Sequence, residues 1–455
     1  MVENVYFIGI GGIGMSAIAR YYNHAGCRVS GYDRTPTPLT AALESEGIAV
    51  HYKCDISAIP AEREKTLVIY TPAIPADFEE LSYVTKEGYK VIKRSRALGE
   101  IAKGEKTVAV AGTHGKTTTS TLISHIFTDC GMGCSAFLGG ISKNYGTNLL
   151  LSKNRLLVAE ADEFDRSFLQ LHPDIAIITS ADPDHLDIYK TYEAVKEAFA
   201  IFASQVKGSI VIKKGVSLDI DGITAKCYSY SLDSRADFYA DKIEIVEGGY
   251  FKFDFIYPSG KTEGCTMGVP GRVNAENGVA AAAAAILAGV APEDIKRALK
   301  SFSGVKRRLE AHINTPQTAY IDDYAHHPRE ISSAISSLRE IFPGRKLCGI
   351  FQPHLYTRTR DFAEGFAESL SLLDKLILLD IYPAREEPIN GVTSKIIFDK
   401  VRNTEKVMLS KDELLPYLEN EPVDVLATFG AGDIDKLVEP ITRMLLRRME
   451  NTNNE

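Results

Sequence analysis

A lysine and three threonines follow two glycines in "AGTHGKTTTS" (111–120), directly after the apolar run "TVAV". Gly112 and Gly115 let backbone N–H groups turn inward on an anion. Lys116 can reach the β- and γ-phosphates of a nucleotide, and Thr117 can offer its hydroxyl to Mg2+. The usual G-x-x-x-x-G-K-[ST] spacing is not met, because Val110 stands at the first glycine position, so the loop is the shorter G-x-x-G-K-T. A phosphate loop needs metal-binding carboxylates at the tips of neighbouring strands, and two clusters qualify. "VAEADEFD" (158–165) presents Glu160, Asp162 and Glu163; "SADPDHLD" (180–187) presents Asp182, Asp184, His185 and Asp187. Carboxylate oxygens with a few waters suit Mg2+.

A second glycine loop lies about a hundred residues earlier. "GIGGIG" (9–14) satisfies G-x-G-x-x-G between an apolar strand and a helix-like run. Gly9 allows a tight turn, Gly11 lets backbone approach a pyrophosphate, and Gly14 is expected to let helix pack on strand. Asp33 follows 19 residues after Gly14, where a ribose-binding acid would sit. The loop fits NAD, another nucleotide diphosphate, or glycines that serve packing alone; it does not identify the base.

A third concentration of chemistry lies in the last third of the chain. "IDDYAHHPRE" (321–330) ends an apolar strand with acids, a tyrosine and two histidines, and "FQPHLYTRTRD" (351–361) ends the next with His354, Tyr356, Arg358 and Arg360. Strand C-termini in open α/β sheets are where ligands bind. One loop supplies acids and imidazoles; the other supplies guanidinium forks suited to carboxylate or phosphate. Arg307 and Arg308 precede both loops.

These loops need parallel sheets to position them. Strands alternate with helices throughout, an α/β pattern. The polar stretch "RSRALGEIAKGEK" (94–106) leads into the strand before the lysine loop, and "SGVKRRLE" (303–310) reads as a linker. The expected organisation is three domains: a Rossmann-like domain over 1–105, a central P-loop ATPase domain with a mostly parallel sheet over 106–308, and a C-terminal Rossmann-like α/β domain over 309–455. An Ala-rich helix is expected at 274–288 and a frayed tail at 447–455. With 455 residues the chain is long enough for several cores, and 45% hydrophobic and 25% charged residues are ordinary for globular domains. A net charge of -8 argues against a nucleic-acid footprint. Seven scattered cysteines without a CxxC fit a reduced, cytoplasmic protein. The N-terminus has no basic region of the signal-peptide type, and no apolar run reaches the ~18 residues that span a bilayer.

The combination "GIGGIGMS", "GTHGKTTT", "EADEFDRSF", "DPDHLD", "GVKRR", "DDYAHHP", "FQPHLYTRT", "YPAREEPI" and "GAGDI" resembles the Mur ligases of bacterial peptidoglycan synthesis, over nearly the whole chain. The closest resemblance is to the branch that adds L-alanine to UDP-N-acetylmuramate. It implies an ATP-dependent amide ligase, with ATP and Mg2+ at the second loop, UDP-N-acetylmuramate at the first, and a cytoplasmic monomer or weak dimer without nucleic-acid or membrane partners. The nicotinamide reading of "GIGGIG" then falls away. By the family pattern, Gly9, Gly11, Gly12, Ile13, Gly14, Met15, Ser16 and Asp33 meet the UDP-sugar. Gly112, Thr113, His114, Gly115, Lys116, Thr117 and Thr118 wrap the ATP phosphates, and Thr117, Glu160 and His185 surround the metal. Asn274 and Asn277 match an Asn pair near adenine, and Arg308 and Asp322 match residues that meet ATP. Tyr324, His326, His354 and Arg358 match positions facing the muramyl carboxyl and the incoming amino acid. The chain departs from the pattern at Leu355 (often Arg), Ser180 (often Asn), and Phe164 and Arg166 (often Ser and Gly). No lysine stands where later-step ligases carry a carbamylated one.

The chemistry implied is phosphorylation of a carboxylate by ATP, then attack of an amine on the acyl phosphate. Two anions must approach, so Lys116, the loop amides and Mg2+ have charge to neutralise. His185 or a third-domain histidine is the expected proton acceptor. The rival readings are a recycling ligase that joins a preformed murein peptide to the same sugar, an NAD-dependent oxidoreductase, and a non-catalytic nucleotide-binding scaffold.

Overall fold

The computed structural model describes residues 2–183, 186–384 and 386–453. It is a mixed α/β structure built on three sheets, mostly parallel. The chain divides into two compact units: Met1–Glu244 with Lys252–Val269 and Asn274–Val305, and Ile245–Phe251 with Pro270–Val273 and Lys306–Glu455.

The first unit holds one sheet and nearly all of a second. Strands β1 (Asn4–Ile8), β2 (Arg28–Tyr32), β3 (Ala49–His51), β4 (Thr66–Tyr70) and β5 (Lys90–Lys93) form a five-stranded sheet in the order β3-β2-β1-β4-β5, with every pairing parallel. β1 is buried at all five positions because helices cover both faces of the sheet, hence its unbroken apolar run. The strand order reverses beside β1, so "GIGGIG" leaves the sheet at the crevice where such folds bind ligands.

The second sheet has ten strands. In chain order they are β6 (Lys106–Ala111), β7 (Ser135–Phe137), β8 (Leu149–Leu150), β9 (Leu156–Ala161), β10 (Ile175–Ile178), β11 (Ser209–Lys213), β12 (Lys226–Ser231), β13 (Phe238–Val246), β14 (Tyr250–Tyr257) and β15 (Gly260–Thr266). Their spatial order is β15-β14-β13-β12-β11-β10-β6-β9-β7-β8. β6 lies between β10 and β9 and is parallel to both. The lysine loop at its end is therefore flanked by the two acidic strand tips. The helix Lys116–Asp129 that follows is buried from Thr117 to Phe127. The Ala-rich helix, Arg272–Ala288, is buried from Asn274 through Ala285 apart from Glu276, as an all-round apolar helix must be.

In the second unit β16 (Glu310–Asn314) pairs antiparallel with β17 (Ala319–Asp323). β18 (Leu347–Phe351), β19 (Lys375–Leu379), β20 (Glu405–Leu409) and β21 (Val425–Phe429) complete a sheet in the order β16-β17-β21-β18-β19-β20, parallel from β17 onward.

Two segments differ from the sequence reading. The polar stretch after β5 is a helix, Arg94–Ala102, which needs only Ala97, Leu98 and Ala102 to bury its inner face. The terminal helix runs Asp435–Asn453, through most of the expected frayed tail, because Ile441, Met444 and Leu445 pack into the core. No helix among the described residues is long and apolar enough to cross a membrane.

Candidate active site

The lysine loop is fixed from the neighbouring strand. Gly112 has φ +138, and a Cβ there would lie 2.0 Å from Thr179 Oγ1, so only glycine fits. The Thr179 hydroxyl donates to the His114 carbonyl and to the Ala111 carbonyl, the latter at 3.2 Å. Ser180 Oγ accepts the His114 N–H at 2.9 Å and pairs with the Thr113 hydroxyl at 2.8 Å. The Ser180 departure thus becomes a fastening point of the loop. Thr113 uses its hydroxyl on Ser180 and on the Asp182 N–H, leaving its backbone to face a ligand.

Lys116 lies across its own loop. Its Nζ donates to the Gly112 carbonyl and to Glu163 Oε2, each at 2.7 Å. Burial works against the ammonium charge, but the carboxylates of Glu163, Asp162 and Glu160 outweigh it and raise the Lys116 pKa above the ordinary lysine value. Burial pushes the Glu163 carboxyl up, against the pull of Lys116. Glu160 points elsewhere: its Oε2 accepts the Gly139 N–H at 3.1 Å. A Cβ at Gly139 would sit 2.1 Å from that oxygen, and one at Gly140 would lie 3.1 Å from Thr117 Cγ2. The Gly139–Gly140 pair, missed in the sequence, lets this loop press against the carboxylate and the loop threonine. A double glycine after an apolar strand was the available signal. Thr117 and Thr118 are buried, and the Thr117 hydroxyl makes no hydrogen bond among the described residues. Asn277 accepts from Thr119 Oγ1 at 3.2 Å and its Oδ1 lies 2.8 Å from where a Gly115 Cβ would be, so it braces the loop helix as well as lining it. Asn274 is buried on the same helix. His185 and Asp184 lie outside the described residues.

At the first loop Gly9 has φ +90, as a tight turn requires. Asp33 is spent on the loop itself: Oδ2 accepts the Gly11 N–H at 2.7 Å and Oδ1 the Thr35 N–H at 3.1 Å. Gly14 does not serve helix–strand packing; a Cβ there would meet the Arg94 Nη1 at 2.6 Å. Met15 and Ser16 are buried, and the Ser16 hydroxyl donates to the Ile13 carbonyl at 2.9 Å, so neither side chain faces a ligand. Gly11, Gly12, Ile13 and Gly14 remain at least partly exposed at the start of the helix Ile13–His24. That is a site suited to a diphosphate.

In the second unit the structure brings Arg308, Tyr324, His326, His354 and Arg358 together. The Arg308 guanidinium lies 5.4 Å from the Tyr324 ring centre, the Tyr324 and His326 rings are 5.2 Å apart, and the His326 and His354 rings 6.2 Å. Arg358 Nη1 lies 3.4 Å from His354 Nδ1. Burial lowers the His326 pKa, and Arg358 and Arg308 add to the effect against Glu330, so the imidazole is neutral at physiological pH. Leu355 holds a left-handed φ of +73 between His354 and Arg358, and its N–H is pinned to the Tyr382 carbonyl at 3.0 Å. Tyr382 also stacks on His354 at 5.8 Å, a contact the sequence did not reveal. Asp322 is not open to a ligand. It is 1% exposed, with Oδ2 on Arg307 Nε at 2.9 Å and Oδ1 on the Thr428 hydroxyl at 2.6 Å. Arg307 is the cation that neutralises it, and its Nη2 also donates to the Gly430 carbonyl at 2.6 Å.

Among the described residues two places offer metal-ligand atoms. Glu310, His312 and Asp322 converge within 4.8 Å, but the Arg307 guanidinium already sits there as the cation on Asp322. Thr117 and Glu160, both packed beside the Gly139–Gly140 turn, offer only oxygen, and this hard donor set fits Mg2+.

Three family models match in succession: the Mur ligase family catalytic domain over residues 4–106, the Mur ligase middle domain over 110–285, and the Mur ligase glutamate ligase domain over 307–432. The UDP-N-acetylmuramate–L-alanine ligase of Parabacteroides distasonis is 51% identical over 98% of each chain. That of Porphyromonas gingivalis is 52% identical over 98% of this chain and 99% of its own. Among solved structures, the UDP-N-acetylmuramate-alanine ligase of Thermotoga maritima superposes with a TM-score of 0.81 at 26% identity, covering 99% of both chains. A murein peptide ligase from Psychrobacter arcticus shares the fold, with a TM-score of 0.71 at 22% identity over 97% of this chain and 98% of its own. Sheet order, loop chemistry and similarity along the whole chain lead to one conclusion: this protein belongs to the Mur ligase family.

Proposed function

We infer that this chain is an ATP-dependent carbon–nitrogen ligase that joins L-alanine to the lactyl carboxyl of UDP-N-acetylmuramate, a step of peptidoglycan synthesis. The observation that carries the reading is half-identity, end to end, with alanine-adding ligases. Two anion cradles at the C-terminal ends of two parallel sheets support it, since the reaction needs one nucleotide at each. Similarity to the murein peptide ligase lies at a level that carries only the fold.

In this reading residues 1–105 hold the UDP-sugar, 106–308 hold ATP, and 309–455 complete the ATP and amino-acid sites. The amides of Gly112–Thr118 receive the ATP phosphates. Lys116, kept cationic by its carboxylate neighbours, exchanges Gly112 and Glu163 for phosphate oxygens and offsets the repulsion between carboxylate and γ-phosphate. Thr117 and Glu160 would hold Mg2+, with His185 as a further ligand; bound there, the ion neutralises phosphate charge. An acyl phosphate forms, the neutral amine of L-alanine attacks its carbonyl, and inorganic phosphate leaves. Arg308, Tyr324, His326, His354 and Arg358 receive the carboxyl groups and the amine. His326, held neutral by burial, is a proton acceptor of suitable charge, with His185 the alternative. Seven free thiols fit a cytoplasmic setting.

The test is phosphate release with each amino acid, with and without UDP-N-acetylmuramate. Release that requires both the sugar and L-alanine is expected. Release with a murein tripeptide in place of L-alanine would reassign the chain to recycling, and turnover that needs no ATP would end the reading.

A further inference from the structure

The two phosphate loops lie within one compact unit, and the helix after the first loop is tied to the acidic turn beside the second. Arg94 makes the tie. It opens the helix that follows β5, its Nη2 donates to Asp162 Oδ2 at 3.0 Å, and its Nη1 fills the space that a Cβ on Gly14 would need. Asp162 in turn accepts the Phe164 N–H on Oδ1 at 3.1 Å, which fixes its carboxylate to the turn that carries Glu163. Asp162 is also one of the carboxylates whose field acts on Lys116. A second tie runs through buried Asn148. It donates to the Ile13 carbonyl at 2.6 Å and to the Ser16 hydroxyl at 3.0 Å, at the end of the loop that begins with Gly139 against Glu160. The start of the first-loop helix is thereby joined to both segments that shape the second site.

We propose that Arg94 is a positioning residue that couples occupancy of the two loops. The inference rests on the reading that the first loop holds the diphosphate of UDP-N-acetylmuramate. A guanidinium beside a helix N-terminus shares the sign of the helix dipole there, and Asp162 compensates for it. A diphosphate on the same N-terminus reverses that repulsion. The guanidinium has five donors in a rigid fork, enough to serve the anion and Asp162 together. A bound diphosphate therefore orders Arg94 and, through Asp162, the turn beside Lys116. Ordering achieved by the first ligand is not required again of the second, so binding of the two is positively coupled.

The experiment is calorimetric titration of a non-hydrolysable ATP analogue with Mg2+, with and without saturating UDP-N-acetylmuramate. Wild type is expected to bind the analogue about tenfold more tightly when the sugar is present, within the usual range of coupling between sites. In Arg94→Ala the ratio falls to within about twofold of unity, while the analogue alone binds within about twofold of wild type. A purely structural role would weaken the analogue alone as well. Asp162→Asn is expected to lose the same coupling, and the double variant no more than either single one. Arg94→Lys keeps the charge without the fork and is expected to lose most of the coupling, which serves if Arg94→Ala does not fold. Wild-type coupling retained in Arg94→Ala or Arg94→Lys overturns the proposal, as does wild type binding both ligands independently. Failure of wild type to bind UDP-N-acetylmuramate at all overturns the functional reading and this proposal with it.

Discussion

Gly139→Ala gives the sharpest test of the metal cradle. Gly139 is not among the residues with positive φ, so alanine fits the backbone and any effect comes from the added methyl. That methyl would lie 2.1 Å from Glu160 Oε2 and 2.6 Å from Cδ, whereas real contacts stop near 3.0 Å, so the carboxylate must retreat by about 0.9 Å. The retreat also breaks the 3.1 Å bond from the Gly139 N–H. A hydrogen bond to a charged group contributes roughly 1.5–3 kcal/mol, and a catalytic group displaced by about 1 Å commonly loses ~10²-fold in rate. We expect kcat for phosphate release to fall about 10²-fold and the Mg2+ requirement to rise, with the Kd for UDP-N-acetylmuramate unchanged. Glu160→Asp supplies the control, because it withdraws the carboxylate by one carbon–carbon bond, about 1.5 Å. Alone it should impair the enzyme, and in the Gly139→Ala background it should cost little more, because both changes withdraw the same carboxylate. A Gly139→Ala enzyme with unchanged kcat and Mg2+ dependence would refute the assignment of Glu160, and so would losses in the two single variants that simply multiply in the double one.

Lys116→Ala should abolish ADP formation yet leave UDP-sugar binding intact in calorimetry. It should also cost about 3 kcal/mol of stability, because Glu163 loses its ammonium in a buried setting; Glu163→Gln added to it should recover Tm but not turnover. Burial raises the Asp323 pKa to about 6, with Arg308 and two backbone N–H groups opposing. The folded state therefore binds the proton more tightly than the unfolded chain. This group's contribution is fully present below about pH 4 and is lost as pH rises to about 6, by roughly 3 kcal/mol. Tm measured across that window should lose more, or gain less, with rising pH in wild type than in Asp323→Asn. Arg307→Ala should cost about 3 kcal/mol by stripping buried Asp322 of its guanidinium, and Asp322→Asn in the same background should return much of it in denaturant titrations.

Much of the fold was legible because parallel strands buried on both faces leave unbroken apolar runs, as in β1, β6, β9 and β10. The glycine loops were legible because each follows such a run and precedes a helix. Helix Arg94–Ala102 was not, since three buried side chains among charged ones leave too weak a periodic signal. Gly139 was marked only by its double glycine, and Arg94 and Asn148 were silent, for another reason. Their partners are Glu160, Asp162 and Ile13, between 21 and 135 residues away in the chain, and nothing local encodes such contacts.

The strand-tip acids show where reading by residue type stops. Each sheet ends a strand with an aspartate that uses one oxygen on its own turn, two residues on: Asp33 on the Thr35 N–H, Asp162 on the Phe164 N–H, and Asp323 on the Ala325 N–H. This is the turn that aspartate favours wherever a strand must stop. In all three cases the other oxygen captures an incoming segment: the Gly11 N–H, the Arg94 guanidinium, and the Leu309 N–H of the linker into β16. The same residue type at the same topological position is therefore a clamp that brings a functional loop to its sheet. Glu160 and Glu163, one methylene longer, reach past the turn to the cradle and to Lys116. At the acidic end of β9 and the turn after it, side-chain length divides the work: aspartate shapes the site and glutamate serves its chemistry.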